Sequence, residues 1–365
     1  GFYLSLDDGD RWQSLRLNLP DTQVSDIWIE ANDVAIATHG RGFYVLDDVN
    51  PLRQFGSQAT SASDVYLFKP GDAVRTAAPG ARIDYWLKKP AQNLTLEIVD
   101  ASGQAVRTIK GAAPAEGRGR GARPSTPSTS SGQAASERAE EQVDRPTPTG
   151  ETEEEGRFTW DLQAEPVVSF PGMVFWGATT NGPTVLPGTY QAKLTVDGRT
   201  EAQPFMVKKH PWHDASDADM AAQYELASQI RDKVNEANTA VMQIRRLKQA
   251  ILDRQSKAQT ADVKELGDQF IKELSAVEET VYQVRNQSNQ DPLNFPIKTN
   301  NRLASLLRVV QTGDGRPTGN AGPIFDDLKR ELRTETDKLQ QVISTYLPRF
   351  NQVVTRLKLE AVTEK

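Results

Sequence analysis

Cysteine is absent from the 365-residue sequence, which excludes disulfide bonds, thiolate metal sites and cysteine nucleophiles. Histidine occurs only as His39, His210 and His213, so little imidazole chemistry is available. No stretch approaches the roughly 18 consecutive apolar residues of a membrane-spanning helix, and we expect no membrane span. The net charge of -6 argues against a nucleic-acid partner, because a general nucleic-acid binder needs a basic face.

Recognisable catalytic motifs are missing as well. The sequence shows no Ser/His/Asp triad, no Walker loop and no GxGxxG turn after a strand. With 49 Asp and Glu residues, no spacing singles out a carboxylate pair for glycoside hydrolysis. His210–Asp214 holds two histidines and a carboxylate, but the extended backbone at Pro211 and the lack of a fourth ligand favour a packed hinge. We therefore expect no catalytic residue, no metal and no cofactor in this chain.

The first part of the chain, residues 1–56, repeats on itself. Gly1-Phe2-Tyr3-Leu4 returns as Gly42-Phe43-Tyr44-Val45, an offset of 41 residues, and short alternating strands lie between them. Periods of about 40–50 residues with short strands indicate β-propeller blades. The predicted strands are Phe2–Leu6, Trp12–Leu17, Val24–Glu30, Val34–Thr38 and Phe43–Leu46. Because one blade cannot close a ring, we expect the remaining blades upstream of Gly1 or in a separate chain.

The most specific motif is an Asp-box, S-x-D-x-G-x-[ST]-W, formed by Ser5, Asp7, Gly9 and Trp12 with Arg11 in place of the hydroxyl residue. Its chemistry is structural. Asp7 can accept hydrogen bonds from turn N–H groups, Gly9 can adopt a positive φ, and Trp12 can anchor the hairpin in the blade core. We interpret the motif as a folding element rather than a ligand site.

A second loop, Thr38–Gly42, joins two predicted strands. His39 and Arg41 could face a ligand at a propeller mouth, since Arg can hold a carboxylate bidentately. The alternative, which the residue types favour, is a tight exposed turn whose polar side chains are solvated.

Residues 64–209 contain about eight short strands without helical periodicity, one of them predicted at Val174–Trp176, and this pattern predicts an immunoglobulin-like β-sandwich. An insertion at 111–155, rich in Gly, Ser, Pro and Glu, interrupts it and is predicted to be disordered. The sandwich aromatics, including Trp86 and Trp176, could form a sugar-stacking platform. Residues of this kind are more often core, and core is the favoured interpretation.

Residues 216–360 change to a helical period, with apolar residues three and four apart. The pattern predicts an antiparallel bundle of three long helices and a shorter one near Asn301–Gln311. Pro348 is expected to kink or break the last helix. The predicted fold class is thus multidomain, β plus α: a partial propeller blade, an immunoglobulin-like sandwich and a C-terminal helical bundle.

Several of these segments resemble one family. They are Gly1–Trp12, Val34–Asp48, Asp64–Pro70, Ile83–Leu87, Pro187–Tyr190 and Ile230–Val234. Together they resemble the C-terminal portion of bacterial sortilin-like propeller proteins with neuraminidase-type Asp-box repeats, which are often labelled glycosyl hydrolases. The resemblance implies a secreted or periplasmic protein whose propeller lies mostly upstream. Arg11 departs from the Asp-box pattern, and no sialidase catalytic residue can be carried over to this chain.

Three functions remain open at this point. The leading one is a non-catalytic scaffold or interaction portion, which completes the propeller with missing blades and has a protein or glycan ligand. The second is that the full protein is a sialidase-like glycoside hydrolase whose active site lies in the missing blades. The third is a carbohydrate-binding module that uses the sandwich aromatics.

Overall fold

The computed structural model describes residues 1–55, 64–76, 79–111, 153–154, 156–258 and 260–364. Most of the insertion predicted to be disordered, at 111–155, lies outside the described residues. The chain divides into two compact units. The sheet unit comprises Gly1–Leu162 and Pro187–His210, and the helical unit comprises Gln163–Leu186 and Pro211–Lys365. The predicted blade and sandwich regions therefore lie in one unit, and a segment expected in the sandwich belongs with the helices.

The start of the sheet unit contains two small sheets. Strands β1 (Tyr3–Leu4) and β2 (Gln13–Ser14) form a hairpin, and β3 (Val24–Glu30), β4 (Asp33–Thr38) and β5 (Gly42–Leu46) form an antiparallel meander. A short helix, α1 (Asn50–Phe55), follows. Beneath the meander lies a small apolar cluster of Leu19, Val34, Ile36 and Val49. All five strands fall within the segments predicted from the sequence or within one residue of them, because turn residues bound each one.

Two larger sheets make up the rest of this unit. The five-stranded sheet has the order β10 (Ala105–Lys110), β9 (Leu94–Asp100), β13 (Gly188–Val196), β14 (Arg199–Lys208) and β7 (Ala73–Val74). The four-stranded sheet has the order β11 (Glu153–Glu154), β12 (Arg157–Trp160), β8 (Ala81–Leu87) and β6 (Val65–Leu67). The β13–β14 turn is Asp197-Gly198, both with positive φ, as expected for a two-residue hairpin turn.

The two larger sheets share an aromatic core. The ring of Trp160 on β12 lies 5.6 Å from that of Tyr190 on β13 and 6.1 Å from that of Phe205 on β14, both edge-on. Trp160 is fully buried. Edge-to-face ring packing adds to the hydrophobic gain of burying such large side chains.

The helical unit contains α2 (Asp217–Lys257), α3 (Ala261–Val281), α4 (Thr299–Val310) and α5 (Ala321–Arg356). Three long helices and a shorter one were predicted, and this is confirmed in the described residues. Ser216 caps α2, since its Oγ accepts a hydrogen bond from the Asp219 N–H at 3.1 Å. The apolar stripes of α2, α3 and α5 contribute most of their residues to a common core. Ile324 of α5 is an exception that stays exposed, and so does Val284, which lies beyond the end of α3.

The first correction concerns Pro348. It does not break α5, which continues to Arg356, and the alternative of a kink stays a prediction. Proline removes one intrahelical hydrogen bond, but Leu347, Phe350 and Val354 remain buried around it and hold the helix in place.

Among the helices of the described residues, none combines the length and the apolar character that a membrane span requires.

The second correction concerns the predicted strand Val174–Trp176, which is not a strand. Its N–H groups bond to side chains of the helical unit instead: that of Val174 to the Tyr282 hydroxyl, and that of Trp176 to Asn301 Oδ1. The short apolar run resembles a buried strand, yet its backbone N–H groups have partners other than a sheet.

Candidate functional site

The segment that matches the Asp-box pattern, Ser5–Trp12, folds as a hydrogen-bonded turn. Ser5 Oγ accepts the Gly9 N–H at 2.8 Å and donates to Asp7 Oδ1 at 2.9 Å. Asp7 Oδ1 also accepts the Arg11 N–H at 2.8 Å, and Gly9 has a φ of +102°. The side-chain oxygens of Ser5 and Asp7 and the positive φ of Gly9 thus hold this turn.

The two remaining positions of the Asp-box behave differently. Arg11 Nε pairs with Asp7 Oδ2 at 3.0 Å, so the residue that departs from the motif still binds its central carboxylate. The hydrogen bond from the Arg11 N–H, followed by that from Ser5, lowers the pKa of Asp7. Trp12 was expected in a blade core, but its side chain is 65% exposed. Nothing among the described residues covers it, so its anchoring role stays a prediction.

Asp48, which corresponds to Asp7 at the repeat offset of 41 residues, keeps part of this chemistry. Asp48 has a φ of +55°, its N–H donates to Asp33 Oδ1 at 2.8 Å, and its Oδ1 accepts the Asn50 N–H at 3.1 Å. Carboxylate-to-backbone hydrogen bonds therefore hold both turns, although this one lacks the Gly and Trp of the motif.

The loop with His39 and Arg41 is a tight turn between β4 and β5. Gly40 and Gly42 both have a φ of +79°, which favours glycine, and Thr38 Oγ1 closes the turn by donating to the Gly42 carbonyl at 2.6 Å. His39 and Arg41 are exposed. Their position is compatible with a ligand-facing loop and equally with a solvated turn.

One face of the β3–β5 meander is an exposed apolar surface, which we call the open face. Its apolar residues are Trp28, Ala35 and Val45, which are cross-strand partners, together with Ala37 and Phe43. The same face also carries the exposed Asp26, which lies opposite Ala37. Trp28, Phe43 and Val45 are 67%, 83% and 59% exposed. Scattered apolar residues on a surface are ordinary, but a contiguous aromatic and aliphatic patch marks an interaction surface.

Strand β3 is exposed on its other face too. Ile27 and Ile29 lie opposite Ile36 and Val34, yet both are about half exposed. A strand that is apolar on both faces is typical of sheets that are covered on both faces. Among the described strands, none pairs with the outer edges of β3 and β5. Face and edges together describe a sheet that is suited to further β-sheet packing.

An acidic cleft of about 390 Å³ also lies in the sheet unit, lined in part by Asp33, Asp47, Asp48, Asp72 and Arg82. Its carboxylates have partners within the chain. Asp47 pairs with Arg82 at 2.9 Å, and Asp72 pairs with Lys208 at 2.7 Å. These ion pairs give Asp47 and Asp72 a structural role. Within the described ranges, no group of three or more His, Asp or Glu residues could hold a metal ion.

Asp84 is a buried carboxylate beside this cleft. Its Oδ1 accepts a hydrogen bond from Arg157 Nε at 2.6 Å. Burial raises the pKa of Asp84, the Arg157 hydrogen bond opposes that shift, and the nearby Asp48 charge adds to it. The net direction is upward, so burial outweighs the ion pair.

This raised pKa predicts how the stability of the sheet unit depends on pH. The contribution of Asp84 is fully present below the unfolded pKa of about 3.9 and is lost as pH rises through the higher folded pKa. We expect the wild type to gain stability relative to Asp84→Asn as pH falls from about 7 to about 4. Urea unfolding midpoints at several pH values measure this, and parallel pH profiles for the two proteins would contradict it.

The two proposed sugar-platform residues lie in different units. Trp86 is half-buried on β8 of the sheet unit, whereas Trp176 is 41% exposed in the non-helical segment of the helical unit. Tyr85 and Trp160 are buried, so for them the core interpretation is confirmed. In the linker motif, His213 Nδ1 lies 3.0 Å from Asp314 Oδ2, an ion pair or hydrogen bond that supports the packed-hinge interpretation.

Sequence reasoning missed a set of buried amides in the helical unit. Asn238, Asn300 and Asn301 are buried, and their side chains hydrogen-bond to one another or to the segment Gln163–Leu186. Buried asparagines at helical positions that otherwise carry apolar residues are the signal that could have indicated them.

Comparison with known proteins adds little. No family model matches the sequence, and no curated protein matches it. Among solved structures, a similar chain is described as "Biofilm associated protein - BSP domain", with 14% identity and a TM-score of 0.20. The match covers 39% of this chain and 15% of that one. Neither the identity nor the TM-score establishes a shared fold.

Proposed function

We propose that residues 1–55 form the last blade or blades of an Asp-box β-propeller, in a bacterial, extracytoplasmic protein of the sortilin-like type. On this proposal the chain is a non-catalytic scaffold or interaction portion, and the two larger sheets form its immunoglobulin-like module. The observation that carries it is the open face, where Trp28, Phe43 and Val45 are exposed on a regular sheet. A blade is packed by its neighbours on both faces, which would cover these side chains.

The strand arrangement supports the same proposal. The meander β3–β4–β5 supplies three of the four strands of a blade, and the β1–β2 hairpin with its Asp-box supplies two of another. A fourth strand would pair with the outer edge of β5. The predicted partner is therefore β-sheet of the same repeat type.

Substitution of Phe43 by serine tests the proposal in two contexts. In the 365-residue chain, the change should alter the free energy of unfolding by less than about 0.5 kcal/mol, because the ring contacts mostly solvent. In the protein isolated with its remaining blades, the same change should destabilise the sheet unit by about 3–5 kcal/mol, since the ring is then buried. Chemical denaturation of both proteins measures the difference.

A matched control is Phe205→Ser, which removes a buried ring and should be destabilising in both contexts. Hydrogen exchange gives a second, independent readout: in the intact protein the β5 amides should be protected by the added strand. Equal effects of Phe43→Ser in both contexts, together with unprotected β5 amides in the intact protein, would overturn the proposal.

A further inference from the structure

The segment Gln163–Leu186, which we call the arm, contains neither helix nor named strand and packs on the helices of its unit. Asn301 on α4 forms hydrogen bonds with the arm backbone. The Trp176 N–H donates to Asn301 Oδ1 at 2.8 Å, and Asn301 Nδ2 donates to the Trp176 carbonyl at 2.9 Å. One asparagine amide thus satisfies both backbone groups of one arm residue.

Asparagine side chains also bind both backbone groups of Val168, eight residues earlier in the arm, where two asparagines take part. The Val168 N–H donates to Asn235 Oδ1 at 2.7 Å, and Asn238 Nδ2 donates to the Val168 carbonyl at 2.7 Å. Asn300 Nδ2 donates to Asn238 Oδ1 at 3.0 Å, which fixes the orientation of the Asn238 amide. These hydrogen bonds are made to main-chain groups and do not depend on the side chain at position 168.

Between these two points lies an aromatic anchor. Phe170 is buried edge-on against Tyr282, with ring centroids 5.1 Å apart, and the Arg245 guanidinium lies 4.7 Å from the Phe170 centroid. Arg245 Nε is held by Glu278 Oε1 at 2.7 Å. The Tyr282 hydroxyl accepts the Val174 N–H at 3.1 Å. Cation–π and ring contacts make this pocket selective for an aromatic side chain.

The arm closes on itself at its base. The Ala164 N–H donates to the Pro183 carbonyl at 2.8 Å, and the Val167 N–H donates to the Thr180 carbonyl at 2.9 Å. A backbone hydrogen bond between the arm and the helices, from the Thr179 N–H to the Ala304 carbonyl, is longer, at 3.4 Å. The helices therefore hold the arm through side chains, as a binding site holds a peptide.

We propose that the helical unit contains a binding site for an extended peptide, and that the arm is its occupant in cis. Asparagine amides of the site form hydrogen bonds with the backbone groups of two peptide residues that lie eight positions apart. A pocket between them accepts one aromatic side chain. A separate peptide of the same chemistry occupies it when the arm is unseated. Most of the core residues come from the helices, which pack on one another, and the arm adds Val167 and Phe170 to the same core.

Gly182→Ala unseats the arm without touching the site. A Cβ at Gly182 would lie 2.0 Å from the Ala164 carbonyl oxygen, so the arm base cannot close. Gly315→Ala is the matched control, since no atom lies within 4 Å of a Cβ there. The probe is a fluorescent synthetic peptide of residues 164–181, titrated into the full chain and followed by anisotropy.

We expect the peptide to bind the Gly182→Ala chain at least about tenfold more tightly than the wild type or the Gly315→Ala chain, because the tethered arm competes in those two. A peptide with Phe170→Ala should lose at least about tenfold in affinity. Helical circular dichroism should be retained in Gly182→Ala.

Three outcomes would overturn the proposal. They are no binding to the Gly182→Ala chain, equal affinity of the peptide that lacks the Phe170 ring, and loss of helical signal in Gly182→Ala. The last would show that the arm is an integral part of the core. None of these outcomes bears on the propeller proposal, which concerns residues of the sheet unit.

Discussion

Replacing Trp160 by alanine should lower the free energy of unfolding of the sheet unit by about 3–5 kcal/mol. Its indole is fully buried and touches Tyr190 and Phe205 edge-on across the two larger sheets. Truncation removes these ring contacts and leaves a cavity between two sheets, whose backbones are fixed by strand pairing and can close only part of it.

The matched control is Trp28→Ala, the same chemical change on the open face. Because Trp28 is largely exposed, its truncation should change stability by less than about 0.5 kcal/mol in this chain. Hydrogen exchange of the β8 and β13 amides reports the sheet unit separately from the helices. Similar losses for both variants would show that the open face is covered in solution, for example by self-association.

The helical part of the fold could be predicted from the sequence almost completely. Ala227, Ile230, Val234, Val241 and Ile244 follow helical spacing on α2, and all five are buried. Local periodicity carries this information, since a helix has to place one apolar stripe against its neighbours. Most strands were predicted from the spacing of their apolar residues and from the turn residues that mark their ends, but the two-residue strands β7 and β11 were not.

Burial of individual tryptophans could not be predicted. Trp12, Trp28 and Trp160 all lie at or next to predicted strands, yet Trp160 alone of the three is buried in the described chain. Periodicity shows which residues share a face, but it does not show whether another sheet covers that face. That information depends on tertiary partners.

The position of the arm on the helices was not predicted, for a related reason. Its short apolar run at Val174–Trp176 is typical of a buried strand. Only distant residues contradict that interpretation: Tyr282 and Asn301 lie more than a hundred positions away. Side-chain recognition of a backbone leaves no local signal in the recognised segment. The signal lies in the polar residues of the helices.

Asn238 gives the strongest test of this recognition. Asn238→Asp exchanges an amide for a nearly isosteric carboxylate at a fully buried position. The aspartate can still accept the hydrogen bond from Asn300 Nδ2, but it cannot donate to the Val168 carbonyl, which then faces a negative oxygen. A buried charge without a counter-charge should destabilise the helical unit by about 3–5 kcal/mol at neutral pH.

The pH dependence of this variant distinguishes charge from shape. Desolvation raises the pKa of a buried carboxyl above its unfolded value of about 3.9. Its protonated form carries an O–H that can again donate to Val168. The deficit should therefore be full above the raised pKa, shrink as pH falls through it, and reach its minimum below the unfolded pKa.

Asn294→Asp is the matched control, because Asn294 is exposed and the new charge remains hydrated. Urea unfolding followed by helical circular dichroism, from about pH 7 to about pH 4, should show a closing gap between Asn238→Asp and wild type, with no such gap for Asn294→Asp. A deficit of constant size across this range would mean that lost packing, and not the missing hydrogen bond to the arm, destabilises the variant. Recovery at low pH would instead place the Asn238–Val168 hydrogen bond among the contacts that hold the arm on the helices.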